Sequence, residues 1–186
     1  MIHWERYIKD FVSYLKIEKG LAENSILAYQ RDVSLLATFA EDTKQKPEQL
    51  TYEQLKTFVA HLYDLGLSAR SQARIISGIK QFYRFLLLEQ YLTADPSELL
   101  EQPRLGKKRP EVLEIDEIDN MLAAIDLSKP EGSRNHAMIE TLYSCGLRVS
   151  ELIHLRFADL YFDEGFIRVI GKGNKERLVP VSESVE

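Results

Sequence analysis

The chain has 186 residues, of which 45% are hydrophobic and 28% charged, and a formal net charge of −5. That is too apolar for a disordered chain, and six prolines with nine glycines exclude a fibrous or low-complexity one; the length predicts about one to two domains. No apolar run approaches the ~18–20 residues a membrane span needs, the opening Met1-Ile2-His3-Trp4-Glu5-Arg6 lacks the apolar stretch of a signal peptide, and one cysteine, Cys145, forms neither an internal disulfide nor a multi-cysteine metal site. These features predict a cytoplasmic protein with no membrane association, and the scattered histidines lack the ligand spacing of a metal site.

In chain order, Trp4, Ile8, Phe11, Val12 and Leu15 recur at helical steps and predict a first helix stopped by Gly20. Ile26, Tyr29, Val33, Leu36 and Ala40 predict a second. Thr51-Tyr52-Glu53-Gln54 reads as a capping box opening a third helix that Gly66 ends. A fourth is expected over residues 68–90, and Asp95-Pro96, an N-cap followed by proline, predicts a short fifth.

The fourth helix carries an unusual charge pattern. No acid lies between Asp64 and Glu89, whereas Arg70, Arg74, Lys80 and Arg84 all do. On a helical wheel with Arg70 at zero these cations fall at roughly 0°, 40°, 280° and 320°, with Ser77 and Gln81 among them, opposite an apolar face of Ile75, Ile76, Ile79, Phe82, Tyr83 and Leu86. The i,i+4 pairs Arg70/Arg74 and Lys80/Arg84 are like-charged, which costs a few tenths of a kcal/mol each. A face expected to be unrelieved by any anion fits a polyanion partner better than bare solvation.

Residues 1–103 carry −2, residues 104–110 carry +4 and residues 111–186 carry −7. The basic block Arg104-Leu105-Gly106-Lys107-Lys108-Arg109-Pro110 lies between Pro103 and Pro110 with a glycine inside, so it reads as a linker and the domain boundary, suited to tracking a phosphate backbone. Beyond it, helices are expected over 115–125 and 134–143, the second stopped near Gly146, and a short one over 150–155. The period then changes: Tyr161-Phe162, Phe166 to Ile170 and Arg177 to Val181 predict three short strands joined by turns. The final residues, 182–186, read as the cap and first turn of another helix, so the sequence is expected to be a fragment. The predicted fold is mainly α: a helical N-terminal domain (1–103), a basic linker (104–110), and the first part of a mixed α/β domain (111–186) with a small three-stranded antiparallel sheet.

Two clusters carry chemistry. Cys145-Gly146-Leu147-Arg148-Val149-Ser150-Glu151-Leu152 sets an arginine between a glycine break and a short helix, and Gly171-Lys172-Gly173-Asn174-Lys175-Glu176-Arg177 sets a glycine-flanked lysine at a hairpin tip. Glycines on both sides let Lys172 approach a surface closely. By spacing alone, a structural arginine and an ordinary hairpin turn are the commoner readings.

Together and in this order, with Leu21 to Asp32 in the N-terminal region, these segments resemble the tyrosine site-specific recombinases, the lambda-integrase-like family, and in particular the bacterial Xer recombinases; the hairpin reads more like the XerD type than the XerC type. The resemblance implies a SAM-like core-binding domain and cleavage of double-stranded DNA through a 3′-phosphotyrosine with a free 5′-hydroxyl. It implies no metal or nucleotide cofactor. Arg148 then binds the scissile phosphate and Lys172 protonates the leaving 5′-oxygen, both suited to the negative charge of the transition state. Glu151 matches an acid that supports the site; equally, it reads as a plain N3 carboxylate capping Ser150.

DNA contacts are expected from Arg70, Arg74, Lys80, Arg84, Lys107, Lys108, Arg109, Lys175 and Arg177. The family also uses a His-x-x-Arg segment, a further His or Trp and a tyrosine nucleophile. None of these is present here: His154-Leu155-Arg156 has the wrong spacing, and Tyr143 and Tyr161 read as core or strand positions. This chain alone is therefore expected to be inactive. The implied partners are a second Xer-type recombinase in a tetramer on two DNA sites and a DNA translocase, in resolving chromosome dimers at cell division. The other readings are a phage or transposon integrase, a non-catalytic DNA-binding module, and a helical interaction protein without a nucleic-acid partner.

Overall fold

The computed structural model describes residues 2–41, 44–106, 110–171 and 173–181, with side chains from Trp4 onward. The chain divides into two compact units, Met1–Lys108 and Arg109–Glu186.

The first unit holds four helices, α1 (Ile2–Ile17), α2 (Glu23–Phe39), α3 (Tyr52–Asp64) and α4 (Ala69–Leu88). The apolar face read for α4 is the centre of its core: Ile76, Ile79, Phe82, Tyr83 and Leu86 are all but inaccessible, packed with Phe11 and Leu15 of α1, Val33 and Leu36 of α2, and Leu55, Phe58 and Leu62 of α3. Phe11 and Phe82 meet edge to face with ring centroids 5.3 Å apart, a geometry that adds about 0.5–1.5 kcal/mol to the area buried. The polar tips of two buried aromatics hold the segment before α3. Trp4 Nε1 donates to the Gln45 carbonyl (3.0 Å) and Tyr83 Oη to the Pro47 carbonyl (3.0 Å).

Local chemistry sets the helix ends. Thr51 and Gln54 exchange the reciprocal capping-box bonds expected of them, Gly66 follows α3 at φ +72°, and Ser68 Oγ accepts from the Ser71 N–H to open α4. The expected fifth helix does not form. Asp95 Oδ1 takes both the N–H and the hydroxyl of Ser97 (2.7 and 2.6 Å), residues 96–99 form a turn, and Leu100 drops into the core. The segment is tied to α4: the Glu98 carbonyl accepts from Lys80 Nζ (3.0 Å), and Gln102 Nε2 donates to Ser77 Oγ (2.8 Å).

The second unit contains α5 (Ile115–Ala123), α6 (Pro130–Cys145), the single turn α7 (Val149–Leu152), and strands β1 (Leu160–Tyr161), β2 (Phe166–Ile170) and β3 (Glu176–Pro180) in one antiparallel sheet of order β1-β2-β3. α6 starts a turn earlier than expected because Pro130 occupies its first turn, and Gly146 ends it at φ +58°. α7 is shorter than the expected 150–155 helix and begins one residue before it. Phe162 belongs to a 3-10 turn, Phe162–Glu164, closed by Gly165 at φ +72°, so β1 falls one residue short of it. Along β2 the alternation is strict: Ile167 and Val169 are buried with Cys145 and Leu147, while Arg168 and Ile170 face the other way. Tyr161 stacks on Phe166, whereas Tyr143, read as a core position, is exposed on α6. Among the described residues no helix is long and apolar enough to cross a membrane.

One close approach in the first unit is testable. Gly78 of α4 faces Asp32 of α2, and a Cβ at Gly78 runs into the Asp32 side chain. Gly78→Ala is expected to destabilise the unit: overpacking costs about 1–3 kcal/mol, more than the roughly 0.5–1 kcal/mol gained in helix propensity. Urea unfolding followed by far-UV circular dichroism reads the sign.

Candidate functional site

In the second unit the candidate residues converge on one carboxylate. Arg148 is the N-cap of α7 and Glu151 is its third residue, so a single turn brings their side chains together. Glu151 is buried, at 6% exposure. Its Oε2 accepts the backbone N–H of Arg148 (2.8 Å) and Arg177 Nη2 (2.8 Å); its Oε1 accepts Arg148 Nη1 (2.9 Å) and Arg177 Nη1 (2.7 Å). The carboxylate thus caps Arg148 rather than Ser150, and it also ties α7 to β3.

The two arginines are not equivalent. Arg177 gives both terminal nitrogens to Glu151 in a bidentate fork, the strongest geometry available to such a pair. Arg148 gives one, and its side chain is 70% exposed. Its Nε and Nη2 have no protein partner among the described residues. Arg177, expected as a DNA contact, has both terminal nitrogens on Glu151. Fork and cap together keep the Glu151 carboxyl well below the usual carboxylate range, the Arg177 hydrogen bond contributing most and the Arg148 N–H next.

The hairpin between β2 and β3 closes onto the same carboxylate. The Gly171 N–H donates to the Lys175 carbonyl (2.8 Å), and Gly173 and Asn174 both take positive φ to make the turn. A Cβ at Gly171 would lie 3.2 Å from Arg177 Nη1 and 3.3 Å from Glu151 Oε1, so the strand end passes close over the ion cluster and a larger residue there would make those side chains shift. Lys172 lies outside the described residues, as do Lys107, Lys108 and Arg109. Lys175 is exposed.

On α4, Arg70 and Arg84 are exposed and have no partner among the described residues. Arg74 departs from expectation: its Nη1 donates to Asp32 Oδ2 at 2.7 Å, so the face does contain an anion, contributed by the neighbouring helix. Lys80 is spent in part on the Glu98 carbonyl. The sequence reading missed the Asp32–Arg74 pair, although an acid between Tyr29 and Leu36 on the apolar stripe of α2 was the signal. It also missed the pair Arg168–Asp159, in which Arg168 Nε and Nη2 both reach a buried Oδ1 (2.9 and 2.6 Å) and pin the 3-10 turn Phe157–Asp159 to β2. Among the described residues no three His, Cys, Asp or Glu side chains gather as metal ligands.

The Glu151 cluster has a pH signature. A carboxyl whose folded pKa is depressed stabilises the fold fully above its unfolded value, about 4.3, and loses that contribution as the pH falls toward the folded value. The second unit is therefore expected to lose stability progressively below about pH 4. Glu151→Gln is expected to lower the thermal midpoint by several degrees at pH 7 and to flatten the acid limb of midpoint against pH. Melting curves at stepped pH read both.

Comparison with known proteins gives this geometry a family. Residues 8–90 match the family model "Phage integrase, N-terminal SAM-like domain" and residues 111–186 match "Phage integrase family". The chain is 43% identical over 179 residues to tyrosine recombinase XerD of Staphylococcus epidermidis, covering 96% of this chain and 61% of that protein. It is 41% identical over 182 residues to XerD of Staphylococcus aureus, covering 97% and 62%. The chain thus spans about three fifths of the length of these relatives.

Among solved structures, a lambda integrase tetramer bound to a Holliday junction superposes with a TM-score of 0.75 at 18% identity, over 94% of this chain and 48% of that one. The Tn1549 transposon integrase in complex with a circular intermediate DNA gives 0.70 at 14%, over 96% and 62%. These likenesses establish the fold. With both family models matched in order and identities above 40% to XerD proteins, the chain belongs to the phage-integrase family, that of the tyrosine recombinases.

Proposed function

We propose that this chain is the DNA-clamping and phosphate-activating part of an Xer-type site-specific tyrosine recombinase. The observation that carries the reading is the Glu151 cluster: one buried carboxylate orients Arg148 and, through Arg177 and Gly171, the strand end that leads into Lys172. Arg148 is held by one nitrogen and open at the others, the state in which a guanidinium binds two non-bridging phosphate oxygens without reorganising.

In this reading a tyrosine hydroxyl attacks the phosphorus and the P–O bond to the 5′-oxygen breaks. Arg148 stabilises the charge gathered on the phosphoryl oxygens, and Lys172 donates a proton to the departing 5′-oxygen. The energy of the broken phosphodiester is kept in the phosphotyrosine, so the step needs no nucleotide. The nucleophile is not among the residues of this chain.

In the first unit Arg70, Arg74, Lys80 and Arg84 meet duplex phosphates, with residues 104–110 as the connector along the backbone and Lys175 as a further contact. Identity above 40% to XerD proteins favours the Xer reading over a mobile-element integrase, for which likeness extends to the fold. The biological task in this reading is chromosome dimer resolution in the cytoplasm, with a partner recombinase in a tetramer on two DNA sites and a DNA translocase acting on it.

Two measurements test this. Binding of the 186-residue chain to duplex DNA is expected to weaken linearly in log–log form with salt, by about 0.9 per phosphate neutralised; flat or absent binding favours an interaction protein without nucleic acid. In a polypeptide of the relatives' full length, Arg148→Ala is expected to lower cleavage of a nicked suicide substrate by roughly 100-fold or more while binding persists, whereas the 186-residue chain forms no covalent adduct. Cleavage undiminished by Arg148→Ala overturns the assignment.

A further inference from the structure

We propose that Asp32 is a positioning residue for DNA binding: from the crossing of α2 and α4 it grips Arg74 and presents that guanidinium, already ordered, to a backbone phosphate. The inference rests on reading the polar face of α4 as the DNA-facing one. Asp32 is 3% exposed and Arg74 53% exposed at the side chain. The carboxylate sits inside the unit, and the cation reaches from it to the surface.

Three observations point the same way. First, the grip uses one nitrogen: Nη1 bonds Asp32 Oδ2 at 2.7 Å, leaving Nε and Nη2 for an outside acceptor. Second, the seat is built. Gly78 lies one turn after Arg74 on α4, is buried, and has no room for a Cβ because Asp32 fills it. The α2–α4 crossing is therefore shaped around this carboxylate. Third, Arg74 is second in the row Arg70, Arg74, Ser77, Gln81 and Arg84, which climbs α4 at three- and four-residue steps. Ser77 is itself held by Gln102, so the row is fixed at two successive levels before any ligand arrives.

Ionising the Asp32 carboxylate is unfavourable in the fold. Burial raises its folded pKa to about 6, outweighing the opposing attraction of Arg74. A carboxyl raised in the fold contributes stability below its unfolded value, about 3.9, and that contribution is gone once the pH has risen through the folded value. At neutral pH the fold therefore holds Asp32 ionised at a cost relative to its protonated form. A group retained at such a cost is expected to serve binding.

The test is a double-mutant cycle in the 186-residue chain, read by fluorescence anisotropy on a short mixed-sequence DNA duplex across a salt series, with thermal melting as the folding control. Asp32→Ala, Arg74→Ala and the double variant are compared with the parent at pH 7.5, with Asp32→Asn as a milder variant. The expected result is that Asp32→Ala still melts cooperatively well above the assay temperature yet binds roughly three- to tenfold more weakly, the scale of one exposed charge-assisted contact. Its salt slope is expected to be shallower by about 0.9. The double variant binds as Arg74→Ala does, and Asp32→Asn falls between parent and Asp32→Ala.

Simple electrostatics predicts the opposite sign, because deleting an anion near a polyanion tightens binding. Unchanged or tighter binding by Asp32→Ala therefore overturns the proposal, as does an additive double variant. A parent chain without salt-dependent DNA binding overturns the reading of the α4 face itself, an outcome distinct from either.

Discussion

The second unit is organised around satisfying one buried carboxylate. A carboxylate taken out of water is tolerated only where hydrogen bonds replace its hydration, and Glu151 receives four, from three donors: its own helix start, the guanidinium of Arg148 and the guanidinium of Arg177. The consequences spread outward. α7 is only four residues long, too short to persist by propensity, yet it is fixed because its N3 side chain caps it and is locked in turn by β3. β3 is held at its first turn to α7, and Gly171, where β2 leaves the sheet, has its backbone against the same ions. Exchanging any partner for a longer or shorter one moves Arg148 relative to the hairpin.

Asp32 shows what happens with fewer donors. It too is buried beside an arginine, but it receives one bond from one guanidinium, and desolvation prevails: its pKa rises to about 6. For Glu151, two guanidiniums and a backbone N–H outweigh a smaller desolvation and the pKa falls. The contrast follows from counting donors against burial.

Local signals were legible in the sequence where the chemistry is local. The capping box at Thr51 and Gln54, the left-handed glycines 66 and 146, the apolar face of α4 and the three-strand pattern all depend on neighbours within one or two turns, and the structure places them within a residue or so of expectation. Several departures involve a partner far along the chain. The segment after Asp95-Pro96 is a turn whose Glu98 carbonyl is bonded by Lys80 of α4. The α4 face is not free of anions because Asp32 arrives from 42 residues away. Arg177 is not a free cation because Glu151, 26 residues earlier, takes its fork. A wheel drawn for one helix, or a count of charges along one loop, contains no information about such pairs.

The same pairs explain how a chain of net charge −5 presents cationic surfaces. Net charge governs the distant field, whereas attraction at a phosphate depends on charges within about a Debye length, ~8–10 Å at ordinary salt. The 111–186 block is the most acidic at −7, but the acid nearest Arg148 is buried and shared between two guanidiniums, so the Arg148–Glu151–Arg177 group carries a net positive charge. Along α4, four cations face one buried carboxylate. In both units an interior acid fixes an arginine whose remaining donors face out. Burying the anion beneath the cation keeps the arginine ordered while leaving the outward potential positive, an arrangement suited to a partner that carries one negative charge per nucleotide.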